Sequence, residues 1–166
     1  MIRVLIVDDH TVVRQGLRFL LQQESDIEVV GEAADGNEAI EAVREQVPAV
    51  VLLDLLMPNT DGLTALRVIK RISPATQVVI LTSHQADDQL FEAIKAGAIS
   101  YVLKAAGVDA VVGSVRAAAR GESVLDPSVA AKLLHEMLRR RDHDPLDQLS
   151  PPRGRCPHRP RPRPLQ

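Results

Sequence analysis

The sequence predicts an α/β fold: a doubly wound, five-stranded parallel sheet covered by five helices. Two observations carry this. Over the first 120 residues, short β-branched apolar runs alternate with longer stretches at helical spacing. The central runs, such as A-V-V-L-L at 49–53, are apolar at every position, as strands buried on both faces must be. Right-handed crossovers follow from that alternation. A length of 166 residues, 45% hydrophobic and 25% charged, suits one such domain with an appendage and falls short of two.

The elements follow in order. Residues 2–7 form an apolar run too short for a helix and read as a strand. Residues 11–23 set Val12, Val13, Gly16, Leu17, Leu20 and Leu21 at helical spacing, with Asp9 or His10 where the helix would be capped. A second strand spans 27–33. A helix over 37–46 turns Ala39, Ile40 and Val43 inward and is closed off by Pro48. The third strand is 49–53, followed by a helix over 61–71 built on Leu63, Leu66, Val68 and Ile69. The fourth strand is 77–81, and a helix over 87–96 stops at Gly97. The fifth strand is 99–103, and a helix over 108–120 ends at Gly121. The main domain therefore covers 1–121. Residues 122–150 are expected to be a linker with a helix over about 128–141, capped by Ser128 and apolar on Val129, Leu133, Leu134, Met137 and Leu138. Residues 151–166 have no periodicity and too few apolar groups to fold, so they are expected to be a disordered tail.

Composition narrows the function classes. The single cysteine, Cys156, excludes an internal disulfide and argues against a cysteine zinc site. No apolar run reaches the ~18 residues of a membrane span, and the N-terminus lacks a signal-peptide layout, so a cytoplasmic protein is expected. The formal net charge of −2 joins two unlike parts. Residues 151–166 carry five arginines, six of the 11 prolines and no acid, leaving 15 basic and 22 acidic residues before them. An acidic body argues against nucleic-acid binding over a broad surface.

In a doubly wound sheet, ligands sit at the carboxyl ends of the strands. Asp8, Asp9, Asp54, Thr82 and Lys104 all lie at or just after such ends. Singly, each has a structural explanation as a turn, cap or solvent-facing residue. Together they form a pattern with one chemical sense. Converging carboxylates repel unless a cation joins them, and Mg²⁺ suits oxygen ligands with room for a phosphate. An aspartate can take a phosphoryl group, Lys104 supplies charge for its oxygens, and Thr82 a hydroxyl donor.

The motifs V-L-I-V-D-D-H (4–10), V-V-L-L-D-L-L-M-P-N-T-D-G (50–62), V-V-I-L-T-S (78–83) and G-A-I-S-Y-V-L-K (97–104) resemble the receiver domain of bacterial two-component response regulators. The subtype resembles the NarL/FixJ group, which carries a LuxR-type helix-turn-helix after a linker. The resemblance covers about 2–120 and implies a flavodoxin/CheY-like fold. It makes Asp54 the acceptor of a phosphoryl group from a sensor histidine kinase. It places Mg²⁺ on Asp9, Asp54 and the Leu56 backbone carbonyl, with Asp8 acting mainly through bound water. Lys104 would pair with the phosphoryl group, Thr82 would swing toward it, and Tyr101 would change rotamer as Thr82 moves. Residues 87–120 would form the switching surface, and Met57-Pro58 with Asp61-Gly62 would shape the loop beside Asp54. Many receivers have proline after the lysine; Ala105 stands here, and a trans bond is expected. Leu56 and His84 would flank the phosphate, where an apolar Leu56 is expected to slow loss of the phosphoryl group.

The same group would continue beyond Ser150 into its DNA-binding domain. Deleting one C from back-translated proline codons at 151–152 permits P-R-E-G-A-V-L-I-V-L-A-R-G-L-S-N, which resembles the start of a LuxR-type domain. The expectation is a one-base insertion that replaces the helix-turn-helix with an Arg/Pro-rich tail. The leading reading is a stoichiometric phosphoacceptor switch rather than an enzyme. The alternatives are a transcription factor that still binds DNA and a phosphatase with an Asp nucleophile. DNA binding is expected only with the helix-turn-helix present. A weak, phosphorylation-enhanced homodimer is expected from the apolar face of the 128–141 helix.

Overall fold

The computed structural model describes residues 1–57, 61–83, 87–125 and 127–142. Within them the chain runs β1 (Ile2–Val7), α1 (Thr11–Gln22), β2 (Ile27–Ala33), α2 (Gly36–Gln46), β3 (Val50–Leu53) and α3 (Gly62–Ile72). It continues with β4 (Gln77–Thr82), α4 (Asp87–Lys95), β5 (Ser100–Leu103), a 3₁₀ turn (Lys104–Ala106), α5 (Val108–Ala119) and α6 (Pro127–Asp142). The five strands form one parallel sheet in the order β2-β1-β3-β4-β5.

The all-apolar strands now have a cause. Alternate residues of each strand feed two separate cores. Leu5, Val7, Val51, Leu53, Val78, Ile80 and Tyr101 pack toward Ala39 and Val43 of α2, Leu66 and Ile69 of α3, and Leu90 and Ala93 of α4. Val4, Ile6, Val50, Leu52, Val79, Leu81 and Val102 pack toward Leu21 of α1 and Val111, Val112, Val115 and Ala118 of α5. With period-2 alternation and helices on both faces, no position of the central strand β3 is left for water.

Most element boundaries agree with the sequence reading to within one residue; the caps explain several of the differences. α2 starts at Gly36, because Asp35 Oδ1 accepts from Glu38 N–H (2.9 Å) while the Glu38 carboxylate accepts from Ala34 N–H (2.7 Å). The arrangement is related to a capping box, with Glu38 reaching back one residue further, to Ala34 rather than to the cap Asp35 itself. Asp61 lies outside α3 as its cap, accepting from Thr64 N–H at 2.7 Å. His10 occupies the cap position of α1, but its side chain makes no capping hydrogen bond. The Lys104–Ala105 bond is trans, as expected.

The largest correction concerns the C-terminal helix. Ser128 is not its cap: α6 begins at Pro127, whose missing N–H costs nothing at a first helical position. Its apolar residues divide between the two sides of the helix. Val129 is fully buried and Leu133 partly so, but Leu134, Met137 and Leu138 are more than half exposed. The inward stripe continues instead through Glu136, only 4% exposed, and Arg140. Arg140 lies 4.1 Å from the centroid of the Phe91 ring and donates to Glu92 at 2.9 Å, while Glu136 accepts from Arg139 and Arg140. A charged stripe can face inward because every charge on it is paired on α4 or within α6.

Residues 122–125 are joined to the edge strand. Ser123 Oγ donates to Ile99 O (2.6 Å), Val124 N–H donates to Ser100 Oγ (2.9 Å), and Leu125 forms a parallel bridge with Tyr101. This covers the otherwise open edge of β5. The remainder of the expected linker and the tail at 151–166 lie outside the described residues.

Candidate functional site

The strand order places the site. β1 and β3 are neighbours, but the chain leaves β1 for β2 on one side and β3 for β4 on the other. The crevice where the order reverses is where open α/β sheets bind ligands. Val7 is paired with Leu53, so the next residues, Asp8 and Asp54, leave adjacent strands side by side. Their backbones are still held by the sheet: Asp8 N–H donates to Ala33 O and Asp54 N–H to Val7 O, each at 3.0 Å.

Lys104, just past β5, reaches across to both carboxylates. Its Nζ donates to Asp8 Oδ2 at 2.5 Å and to Asp54 Oδ2 at 3.3 Å. Asp8 Oδ1 accepts from His10 N–H at 2.8 Å, and Asp54 Oδ1 from Leu56 N–H at 3.0 Å. Both carboxylates are almost fully buried. Burial opposes ionisation of Asp8, but the Lys104 ammonium and the His10 N–H outweigh it and hold its pKa below the ordinary value. At Asp54 burial wins: its pKa is raised, with Leu56 N–H and Lys104 offsetting only part and the Asp8 charge adding to the rise. Burial also works against the Lys104 charge, yet its two carboxylates raise its pKa.

Asp9 completes the cluster. The candidate ligand atoms of Asp8, Asp9, His10 and Asp54 all lie within 4.8 Å of one another. Asp9 Oδ1 is buried without a hydrogen-bond donor, and His10 Nδ1, 3.0 Å away, makes no hydrogen bond with it. A buried carboxylate oxygen with free lone pairs is costly unless a cation meets it. The residues therefore fit a divalent cation, and their hard oxygen donors suit Mg²⁺.

Of the other expected residues, Thr82 ends β4, is buried, and lies opposite Leu103 of β5. Tyr101 is held inward at 1% exposure, in the same core cluster as Leu90, Ala93, Leu125 and Val129. Leu56 follows the turn beside Asp54 with a half-exposed side chain. Met57 is partly buried against the core. Pro58, His84 and Cys156 lie outside the described residues. Two features were not foreseen. Arg14 donates to the Asp8 carbonyl at 2.7 Å, a contact that no spacing rule announces. A largely apolar cavity of about 290 Å³ also opens between α1 and α5, lined by Val13, Leu17, Leu20, Val108, Val111 and Lys104.

The raised pKa of Asp54 yields a stability prediction. A carboxyl with a raised folded pKa binds more protons folded than unfolded, so its burial costs stability as pH rises above the ordinary 3.8. Asp54→Asn removes that cost. In metal-free buffer at pH ~7 its thermal midpoint should rise by a few degrees, and the gain should shrink toward pH ~4. Calorimetric melts at both pH values check this; a loss of stability at neutral pH would contradict it.

A parallel sheet ordered 2-1-3-4-5, with aspartates at the switch point and a lysine reaching over them, defines the receiver class of signalling domain. The chain belongs to the response regulator receiver domain family, which matches residues 4–116. It is 42% identical over 137 residues to the transcriptional regulatory protein LiaR of Bacillus subtilis (strain 168), covering 82% of this chain and 65% of that one. It is 44% identical over 139 residues to the response regulator protein VraR of Staphylococcus aureus, covering 84% and 66%. The chain thus spans just under two thirds of the length of these relatives. Among solved structures it resembles a two-component response regulator of the LuxR family from Aurantimonas sp. SI85-9A1, with a TM-score of 0.77 and 34% identity over 82% of this chain and 97% of that one.

Proposed function

We propose that Asp54 is the phosphoryl acceptor of this receiver and that its donor is the phosphohistidine of a sensor kinase in the cytoplasm. The observation that carries this is the pairing at the switch point: a buried Asp54 of raised pKa, beside Asp8, under one shared ammonium. A raised pKa makes the Asp54 oxygen a stronger nucleophile once ionised. That oxygen bonds to phosphorus as the nitrogen–phosphorus bond of the donor breaks, and the leaving imidazole takes up a proton. Asp8, Asp9, Asp54 and the Leu56 carbonyl would hold Mg²⁺, which when bound neutralises the phosphoryl oxygens. Lys104 then moves from Asp8 to the phosphoryl group, Thr82 supplies a hydroxyl to it, and Tyr101 packs behind Thr82. The acyl phosphate formed on Asp54 is a stoichiometric product, so the domain acts as a switch rather than as a catalyst. Leu56, apolar and at the mouth, slows attack by water. Control of transcription, the role in the name of the LiaR relative, would belong to a longer protein that includes a DNA-binding domain, while this chain forms a weak homodimer that phosphorylation enhances.

The test is labelling with acetyl phosphate. The parent should take up one phosphoryl group per chain, only with Mg²⁺, and Asp54→Ala none. Continuous turnover of a phosphomonoester by the parent would favour the phosphatase reading instead; labelling that survives in Asp54→Ala would refute the assignment.

A further inference from the structure

The backbone that carries the two N-terminal carboxylates is fixed in an unusual way. Asp8 is one residue beyond β1, and among the described residues its carbonyl accepts no backbone N–H. A carbonyl at a buried strand end needs a donor. Arg14, on the first turns of α1, supplies it through Nη1 at 2.7 Å. The rest of the guanidinium is held as well. Nε donates to Glu32 Oε1 on β2 at 3.3 Å, and Nη2 to Thr11 Oγ1 at 3.3 Å. Only 15% of the Arg14 side chain is exposed. The other Glu32 oxygen accepts from Arg18 at 2.6 Å.

That carbonyl belongs to the Asp8–Asp9 peptide plane. Rotating the plane swings the Cα–Cβ bond of Asp9 and with it the Asp9 carboxylate. The buried oxygen of Asp9 has no hydrogen bond to fix it. The His10 ring 3.0 Å from it belongs to the next residue of the same segment, so the oxygen's position follows that backbone, and the backbone is held by Arg14. We infer that Arg14 is a positioning residue for the divalent-cation site: it clamps the Asp8–Asp9 peptide between α1 and β2 and so sets where Asp9 presents its free oxygen. This rests on the cation reading of the site given above. The clamp needs a planar fork with donors in three directions, which lysine lacks.

The experiment is calorimetric titration of the full chain with MgCl₂, comparing the parent with R14A, R14K and E32Q, alongside thermal melts. Arg18 still pairs with Glu32 in R14A, so the half-buried Glu32 carboxylate keeps a cation. R14A and R14K should each bind Mg²⁺ about 10-fold more weakly, as is usual when a partner behind a metal ligand is lost. E32Q, which loosens the clamp from β2, should shift affinity the same way by a smaller factor and covers the case in which R14A does not fold. The Mg²⁺ concentration for half-maximal acetyl-phosphate labelling should rise in step. A purely structural role lowers the melting temperature and leaves Mg²⁺ affinity unchanged; that result, or full recovery in R14K, overturns the inference. Failure of the parent to bind Mg²⁺ would instead overturn the cation reading itself.

Discussion

Gly62→Ala is expected to destabilise the domain by ~3 kcal/mol and to disable the site. A Cβ at Gly62 would lie 2.5 Å from the Asp54 carbonyl oxygen, 2.5 Å from Leu55 Cα and 3.0 Å from Leu55 C. All three are backbone atoms, so no side chain can turn aside. Helix propensity favours alanine over glycine by only ~1 kcal/mol, too little to offset the clash. Relief requires α3 to move away from the Asp54 loop, which breaks the Gly62 N–H bond to Leu55 O (3.0 Å) and displaces the acceptor. Gly113→Ala on α5 is the control, since its Cβ meets nothing within 4 Å and should stabilise slightly. Urea midpoints and beryllofluoride binding test the pair. Equal midpoints for Gly62→Ala and the parent would show that the loop yields more readily than its backbone packing implies.

Lys104→Met should cost about 3 kcal/mol at neutral pH in metal-free buffer, the scale expected when a buried ion pair loses one partner. Without the ammonium, Asp8 and Asp54 face each other as two buried carboxylates. The sign of the pH dependence follows. In the parent, Asp8 has a lowered pKa, so its stabilising contribution is present above the ordinary value and lost as pH falls through the folded one. Lys104, with a raised pKa, contributes below its ordinary value of 10.5 and loses that as pH rises through the folded one. In the variant both carboxyls hold protons more tightly folded than unfolded. Its deficit should therefore be largest near pH 7 and shrink toward pH ~4. Saturating Mg²⁺ should recover part of the loss, because it binds the folded site. Urea midpoints at the two pH values, with and without Mg²⁺, decide this. A deficit independent of both would mean that Lys104 acts through packing of its stem.

Much of this site is legible in the sequence because chain order and strand ends coincide in a parallel sheet. Asp8, Asp54, Thr82 and Lys104 each follow an apolar run, and in a doubly wound fold every such end faces the same edge. That property is topological and survives one-residue errors in strand limits. Caps were harder: Asp35 and Asp61 differ from other aspartates only in the helix that follows, and a shift of one residue changes which of them is inside. The apolar face of α6 is legible in the sequence, but which of its residues pack on the domain is not: α4 offers Glu92 and the Phe91 ring, which draw Arg140 inward while Leu134, Met137 and Leu138 stay exposed.

By itself the sequence determined the element order, the two-sided burial of the sheet and the set of strand-end residues, since local periodicity and chain direction suffice for these. Only the tertiary structure decided how the charges are shared. One ammonium lies between two carboxylates, one Asp9 oxygen is left without a donor, and a guanidinium from α1 holds the peptide between Asp8 and Asp9. Those are contacts across β1, β2, β3 and β5, and their energies depend on distance and burial at angstrom scale, which no pattern along a single chain encodes.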